Sequence, residues 1–316
     1  MNYKTLGKSS LLVSPLTFGG NVFGWTLNET ESFRILDQFV DAGFNFIDTA
    51  DTYSTWVEGN QGGESETIIG KWLKSNNKRD KVVIGTKLGG EMGKNQKGLS
   101  AAYIVEAVDA SLSRLKTDYI DLYQAHYDDL DTPQEETLEA FDKLIKEGKV
   151  RFIGASNLSG ERLKSSLEIS KNNNFASYIS LQPLYNLTDR SGFETEYESL
   201  VNEYNLGVIP YYALASGFLS GKYRGESDLN KSVRGYGIKK YLNERGFNIL
   251  NALDKVAEAH GASPARVALA WLLHKSAITS PIVSATNEKQ MNELILSTQL
   301  TLSPEEMQLL DQVSAF

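Results

Sequence analysis

Cysteine is absent from the 316 residues. That removes disulfides, thiolate nucleophiles, cysteine-ligated zinc and iron–sulfur clusters, and it is compatible with a reducing compartment. Histidine is scarce: three scattered residues leave little material for an imidazole-built metal site, so no metal is expected. Positive charge is in deficit, 32 Lys plus Arg against 40 Asp plus Glu for a net charge of −8, and with no basic stripe nucleic acid is not an expected partner. A local basic pocket for one small anion remains compatible with that balance. No stretch reaches the ~18 apolar residues of a membrane span, and the opening Met1-Asn2-Tyr3-Lys4-Thr5-Leu6-Gly7 lacks the apolar core of a signal peptide. The expectation is a cytoplasmic, soluble protein with no membrane partner. Proline is sparse as well, seven in all, and no Pro- or Ser-rich linker divides the chain, so residues 1–316 are expected to form a single domain.

What is present is a regular alternation of short apolar runs with amphipathic ones. Phe33, Leu36, Phe39 and Val40 share one face of a first predicted helix that follows Asn28-Glu29-Thr30-Glu31 and stops at Gly43, and strand-like Phe44-Asn45-Phe46-Ile47 comes next. Val82-Val83-Ile84 precedes a helix starting near Ser100, and Tyr119-Ile120-Asp121-Leu122-Tyr123 precedes one carrying Leu138, Phe141, Leu144 and Ile145. Val150-Arg151-Phe152-Ile153 leads to a helix capped by Ser159, and Tyr178-Ile179-Ser180-Leu181 to one around 196–204. Val208-Ile209-Pro210, a polar insertion, a helix from about 247 to 259, a helix with Ser263 as N-cap and Pro264 as first residue, and a last strand Pro281-Ile282-Val283 complete the pattern. With an opening strand at Leu16-Thr17-Phe18 the count is eight βα units, which favours an α/β fold of the (β/α)8, or TIM-barrel, type. The rival doubly wound sheet would carry Gly-x-Gly-x-x-Gly after its first strand, and Phe18-Gly19-Gly20-Asn21-Val22-Phe23-Gly24 does not fit that spacing.

In such a barrel the residues that follow each strand ring one pocket. Asp48 follows the second strand with Tyr53 five residues on; Lys87 follows the third, His126 the fourth, Ser156 and Asn157 the fifth, Gln182 the sixth, Tyr211 the seventh and Ser284 the eighth. Singly, Asp48 also has a minority reading as a turn cap and His126 reads more often as a satisfied core histidine; their joint place on consecutive strand ends is the argument. Asp, Tyr, Lys and His together suit proton transfer to a carbonyl oxygen. The expectation is that the Lys87 ammonium lowers the pKa of Tyr53 from ~10, that Asp48 balances Lys87, and that His126 orients the carbonyl. None of the four supplies a hydride, so redox chemistry needs a cofactor.

These residues lie in segments that resemble the aldo-keto reductase superfamily across essentially the whole chain. Leu6-Gly7-Lys8-Ser9-Ser10-Leu11-Leu12-Val13-Ser14 resembles the opening β-hairpin of the bacterial subgroup related to potassium-channel beta subunits. Gly43-Phe44-Asn45-Phe46-Ile47-Asp48-Thr49-Ala50-Asp51-Thr52-Tyr53 resembles the signature that holds the catalytic Asp and Tyr; Gly63-Glu64-Ser65-Glu66, Thr86-Lys87 and Asp121-Leu122-Tyr123-Gln124-Ala125-His126 match further family motifs. The resemblance implies a metal-free NAD(P)H-dependent carbonyl reductase in which Tyr53 is the general acid, Lys87 and Asp48 tune it, and His126 orients an aldehyde or ketone substrate.

For the cofactor, the resemblance implies Ser156, Asn157 and Gln182 at the nicotinamide carboxamide and Tyr211 stacked on the ring. It also implies Gly20 and Asn21 beside the cofactor and Tyr212, Ala213, Leu214, Ser216, Gly217 and Lys222 along the pyrophosphate, with Arg234 a further phosphate candidate. Ser284, Thr286, Gln290 and Glu293 fall at the adenosine end, where the pattern departs from the family: Ser284 replaces a usual glycine, Thr286 an arginine or serine, and Leu294 an asparagine, while Ala213 replaces a more usual proline. With no Arg there and Lys289 the nearest cation, NADPH is expected from the family and NADH stays admissible. Two alternatives remain open: a nicotinamide-binding sensor or partner subunit with little turnover, and a Lys87 Schiff-base aldolase. Specificity is expected from loops 21–27, 54–62, 89–98, 127–132 and 224–241, where Trp25, Trp56 and Tyr127 offer an aromatic lining.

Overall fold

The computed structural model describes residues 1–93 and 96–316; Lys94 and Asn95 of the predicted loop 89–98 lie outside the described residues. Strands β1 (Lys4–Thr5) and β2 (Leu12–Val13) pair antiparallel as the expected hairpin. The described residues then form a sheet of eight parallel strands in chain order: β3 (Thr17–Gly19), β4 (Phe46–Asp48), β5 (Val83–Leu88), β6 (Ile120–Ala125), β7 (Val150–Ser156), β8 (Tyr178–Gln182), β9 (Gly207–Val208) and β10 (Ile282–Val283), with β10 beside β3. The remaining seam closes through single bonds rather than a ladder. The Val208 carbonyl accepts from the Thr279 and Ser280 N–H groups at 2.9 and 3.2 Å, and the Pro210 carbonyl from Ile282 at 2.9 Å. The result is a (β/α)8 barrel, as expected.

Helices α1 (Glu29–Asp41), α2 (Glu64–Asn76), α3 (Ala101–Leu115), α4 (Gln134–Lys146), α5 (Gly160–Asn173), α6 (Glu198–Tyr204), α7 (Glu244–His260), α8 (Pro264–His274), α9 (Glu288–Ser297) and α10 (Pro304–Val313) follow the strands. Caps set several starts: Asn28 and Glu31 form a reciprocal capping box, and the Ser100, Ser159 and Ser263 side chains accept from the third helical N–H. No helix among the described residues is long and apolar enough to cross a membrane.

Several boundaries differ from expectation for local reasons. Strands predicted over 208–210 and 281–283 shrink to Gly207–Val208 and Ile282–Val283, because Pro210 and Pro281 have no N–H to give the ladder. The helix expected from 196 begins as a wide turn, Phe193–Tyr197, in which Glu194 takes Arg190 at 2.7 Å and Glu196 takes the Gly160 N–H at 2.6 Å. In the polar insertion, 224–241, two 3₁₀ segments form, Glu226–Lys231 and Gly235–Tyr241.

The hairpin plugs the barrel floor. Leu6, Leu11 and Val13 pack on Phe46, Val83, Leu122, Ile179 and Ile209, the inward residues at the strand starts. Gly7, in a left-handed turn at φ +55°, lies so close that a Cβ would stand 2.1 Å from the Ile179 carbonyl oxygen. With one end sealed, the opposite end carries the polar strand termini.

Candidate active site

Asp48 ends β4, Lys87 is the penultimate residue of β5, and His126 follows β6; Tyr53 reaches in from the turn after β4. The four converge. Lys87 Nζ donates to Asp48 Oδ2 at 2.7 Å, to the Thr49 carbonyl at 2.6 Å and to Tyr53 OH at 2.9 Å, which occupies all three ammonium protons. Both charges are fully buried, a placement tolerable only with such complete pairing. Asp48 Oδ1 accepts from two side-chain amides, Gln124 Nε2 at 3.1 Å and Gln182 Nε2 at 3.0 Å, so the carboxylate is held on both oxygens.

The electrostatics correct one expectation. Burial first, then the adjacent Asp48 carboxylate, push the Tyr53 phenol well above its ordinary pKa rather than below it. Asp48 already neutralises the ammonium, and Tyr53 itself donates to Asp48 Oδ2 at 3.3 Å, so a phenolate would face a carboxylate. Tyr53 is therefore protonated at neutral pH, and burial lowers Lys87 while Asp48 opposes that shift. Burial and the Lys87 charge hold His126 well below the ordinary imidazole range, hence neutral. Its Nδ1 stands 3.5 Å from Thr52 Oγ1, its carbonyl accepts from Asn157 Nδ2 at 2.8 Å, and its ring stacks on Tyr127 at 4.4 Å.

An aromatic rim surrounds Tyr53. Trp56 lies 6.3 Å from the Tyr53 ring and meets Trp25 edge-on at 5.5 Å, while Tyr127 and Tyr212 are about half exposed. The predicted cofactor residues split into groups along the same face. Ser156 donates to the Gln182 carbonyl at 2.9 Å; Asn157, at φ +54°, accepts from Tyr211 OH at 3.0 Å. Gln182 spends its amide on Asp48 and Gln124, a supporting contact not anticipated for it. Beyond Tyr211 the backbone turns left-handed at Tyr212, Ala215, Ser216 and Gly217, with Ala213 buried and Leu214 at the turn between them. A Cβ on Gly217 would lie 3.6 Å from Lys222 Nζ.

Two cations flank this stretch without a carboxylate partner among the described residues: Lys222, over the Tyr223 ring, and Arg234, whose titratable neighbours are Tyr212 and Tyr223. The Arg234 guanidinium sits 5.0 Å over the Trp25 ring. Oriented to satisfy its neighbours, the Asn21 amide donates to Ser284 Oγ at 2.9 Å and accepts from Arg234 Nη2 at 3.2 Å. Gly20 is tied down separately, its carbonyl accepting from Ser65 Oγ. At the far end the Thr286 N–H and hydroxyl both donate to Gln290 Oε1, and Glu293 is engaged by Arg266 at 2.6 and 2.9 Å. Unpaired cations, left-handed backbone with no side chain at Gly217, and an exposed aromatic beside amide groups fit an elongated anionic dinucleotide.

Reading the sequence did not single out Gln124, Thr52 or Arg266. Gln124 carried a usable signal: it shares strand parity with Leu122 and His126, so a polar side chain was bound to point inside the barrel.

A sequence model of the aldo/keto reductase family matches residues 15–315. Relatives include the uncharacterized oxidoreductase YrpG of Bacillus subtilis (strain 168), 33% identical over 99% of this chain and 96% of that protein. L-glyceraldehyde 3-phosphate reductase of Escherichia coli O157:H7 is 33% identical over 99% of this chain and 92% of its own length. A probable voltage-gated potassium channel subunit beta of Oryza sativa subsp. japonica is 35% identical, covering 93% and 90%. The chain belongs to the aldo/keto reductase family. It is accordingly an NAD(P)H-dependent oxidoreductase.

Proposed function

We infer that the protein reduces an aldehyde or ketone to its alcohol, with Tyr53 as proton donor, and that NADPH is the expected cofactor with NADH the alternative. The observation that carries this reading is the Lys87 ammonium, which touches Asp48 and Tyr53 at once, at 2.7 and 2.9 Å. When bound, the nicotinamide supplies the hydride. As charge grows on the carbonyl oxygen, the protonated Tyr53 gives its proton to that atom, and the Lys87 ammonium, which donates to the Tyr53 oxygen at 2.9 Å, offsets part of the charge left there against the nearby Asp48 carboxylate. Asp48, fixed by Gln124 and Gln182, keeps Lys87 in place. His126 is neutral, and with Nδ1 turned to Thr52 its Nε2–H is free to donate to the same oxygen.

Ser156, Asn157, Gln182 and Tyr211 would hold the nicotinamide end, Lys222 and Arg234 with the 212–217 turn the phosphates, and Thr286, Gln290, Glu293 and Arg266 the adenosine end. Trp25, Trp56, Tyr127 and Tyr212 favour carbonyl compounds that carry a flat or apolar group. A Schiff-base role for Lys87 is disfavoured, since a fully buried ammonium with three acceptors has no lone pair to offer.

Tyr53→Phe tests the assignment. Fluorescence titration with NADPH should give an affinity within about twofold of the parent, while aldehyde turnover falls at least about 100-fold. Undiminished turnover would remove Tyr53 from its role. Tight NADPH binding by the parent with negligible turnover of any aldehyde would favour the sensor reading instead.

A further inference from the structure

Behind the four converging side chains lies a carboxyl that the reaction above does not use. Asp51 is 2% exposed, and among the described residues its carboxyl receives one hydrogen bond, from the Thr52 N–H to Oδ1 at 2.7 Å. Its backbone is pinned on both sides, the N–H donating to the Lys87 carbonyl at 3.1 Å and the carbonyl accepting from Gly63 at 2.6 Å. The charged groups that face it are committed elsewhere. From β5, Lys87 has all its protons on Asp48, Thr49 and Tyr53. From α2, Glu66 is fully buried and accepts from Thr86 Oγ1 and from Arg114 Nε, each at 2.6 Å. From α3, Arg114 is spent on Glu66 and Ser111, and Tyr103 adds a phenol; from β6, the buried Tyr123 hydroxyl has no partner among the described residues, with Tyr127 beyond it.

The charges in this layer cancel in pairs, Lys87 with Asp48 and Arg114 with Glu66. An ionised Asp51 would add one negative charge with no cation of its own at a carboxyl only 2% exposed, and a buried carboxyl in that position takes up a proton instead. Burial, followed by the charge of Glu66, pushes its pKa up to about 8. Asp51 also touches the tetrad through Thr52, whose N–H it holds and whose hydroxyl lies 3.5 Å from His126 Nδ1.

We propose that Asp51 is a positioning residue that keeps its proton at neutral pH, and that its ionisation throttles carbonyl reduction. Negative charge beside Lys87 opposes both the alkoxide forming on the substrate and the phenolate forming on Tyr53. The throttling rests on Tyr53-dependent reduction; the buried proton does not. For stability the sign is fixed: the folded state holds a proton that the unfolded chain releases above its ordinary pKa of 3.8, so stability is lost as pH rises towards about 8 and is level beyond.

Asp51→Asn mimics the protonated form and supplies the test. Between pH 5 and 8 the melting temperature of the parent should fall relative to that of D51N, the gap widening by several degrees; parallel curves overturn the proposal. In the parent, turnover normalised to its value at pH 6.5 should show an alkaline limb near pH 8, falling about tenfold by pH 9. D51N should lack that limb, and the same limb in D51N overturns the throttling. A stability gap with no aldehyde turnover in either protein would defeat the reductase reading, and the throttling with it, but not the buried proton. Should D51N fold poorly, the protonated-carboxyl infrared band of the parent decides alone: it should vanish with a midpoint near pH 8, and its absence at pH 6.5 overturns the proposal.

Discussion

At the scale of single residues, the Lys87–Asp48 ion pair is fully buried on both sides, so its two charges depend on each other. Lys87→Met would leave Asp48 buried with two amide donors and no cation, a loss of about 3–5 kcal/mol that urea unfolding would read directly. Combining it with Asp48→Asn removes the orphaned charge and should recover much of that loss, whereas additive losses would show that packing rather than charge sets the cost. Carbonyl turnover should stay absent in both. Asp48, Tyr53, Lys87 and His126 were readable because strand ends concentrate chemistry at one rim, and the structure brings the four together. Their supports were not: Asp51 meets Lys87 of β5, Thr52 meets His126 just past β6, and Arg266 meets Glu293 of α9, pairings between distant segments that no linear spacing encodes. Nor does proximity in sequence give the sign of a pKa shift, since Tyr53 rises where a nearby ammonium alone would lower it.

At the scale of elements, local rules located what local chemistry determines. Ser263 followed by Pro264 gave the start of α8 because cap and first residue are both set by backbone geometry. The same Ser-Pro pair at Ser303 and Pro304 opens α10, which was not anticipated although its signal was present. Short strands such as β9 and β10 were overextended, because apolar runs do not reveal where a proline has ended the ladder. The hairpin gives an element-scale prediction. Gly7→Ala adds a Cβ 2.1 Å from the Ile179 carbonyl oxygen at a left-handed φ, so the plug must lift. The expected cost is about 1–3 kcal/mol in chemical unfolding. Because the plug and the polar rim are at opposite ends of the barrel, kcat should hold at temperatures where the variant is folded; a collapse of kcat without loss of stability would contradict that separation.

At the scale of the whole molecule, two fields compete for an anionic cofactor. The chain carries a net charge of −8, which repels a dinucleotide phosphate at long range. Lys222 and Arg234, with no carboxylate partner among the described residues, stand beside the left-handed 212–217 turn and would attract it at contact distance. Salt separates the two, because exposed charges are screened beyond roughly 10 Å at 0.1 M while close contacts are weakened by competing ions. If the two cations grip the phosphates, raising ionic strength from about 0.05 to 0.5 M should weaken NADPH binding several-fold, and Arg234→Gln with Lys222→Gln should both lower the affinity and flatten its salt dependence. The opposite slope, tighter binding in high salt, would mean that the overall negative field governs and that neither cation meets a phosphate. Arg234 also lies against Trp25 on the substrate rim. Losing its charge should therefore raise KM for an aromatic aldehyde as well, whereas Lys222→Gln, whose ammonium lies over Tyr223 instead, should act on the cofactor alone.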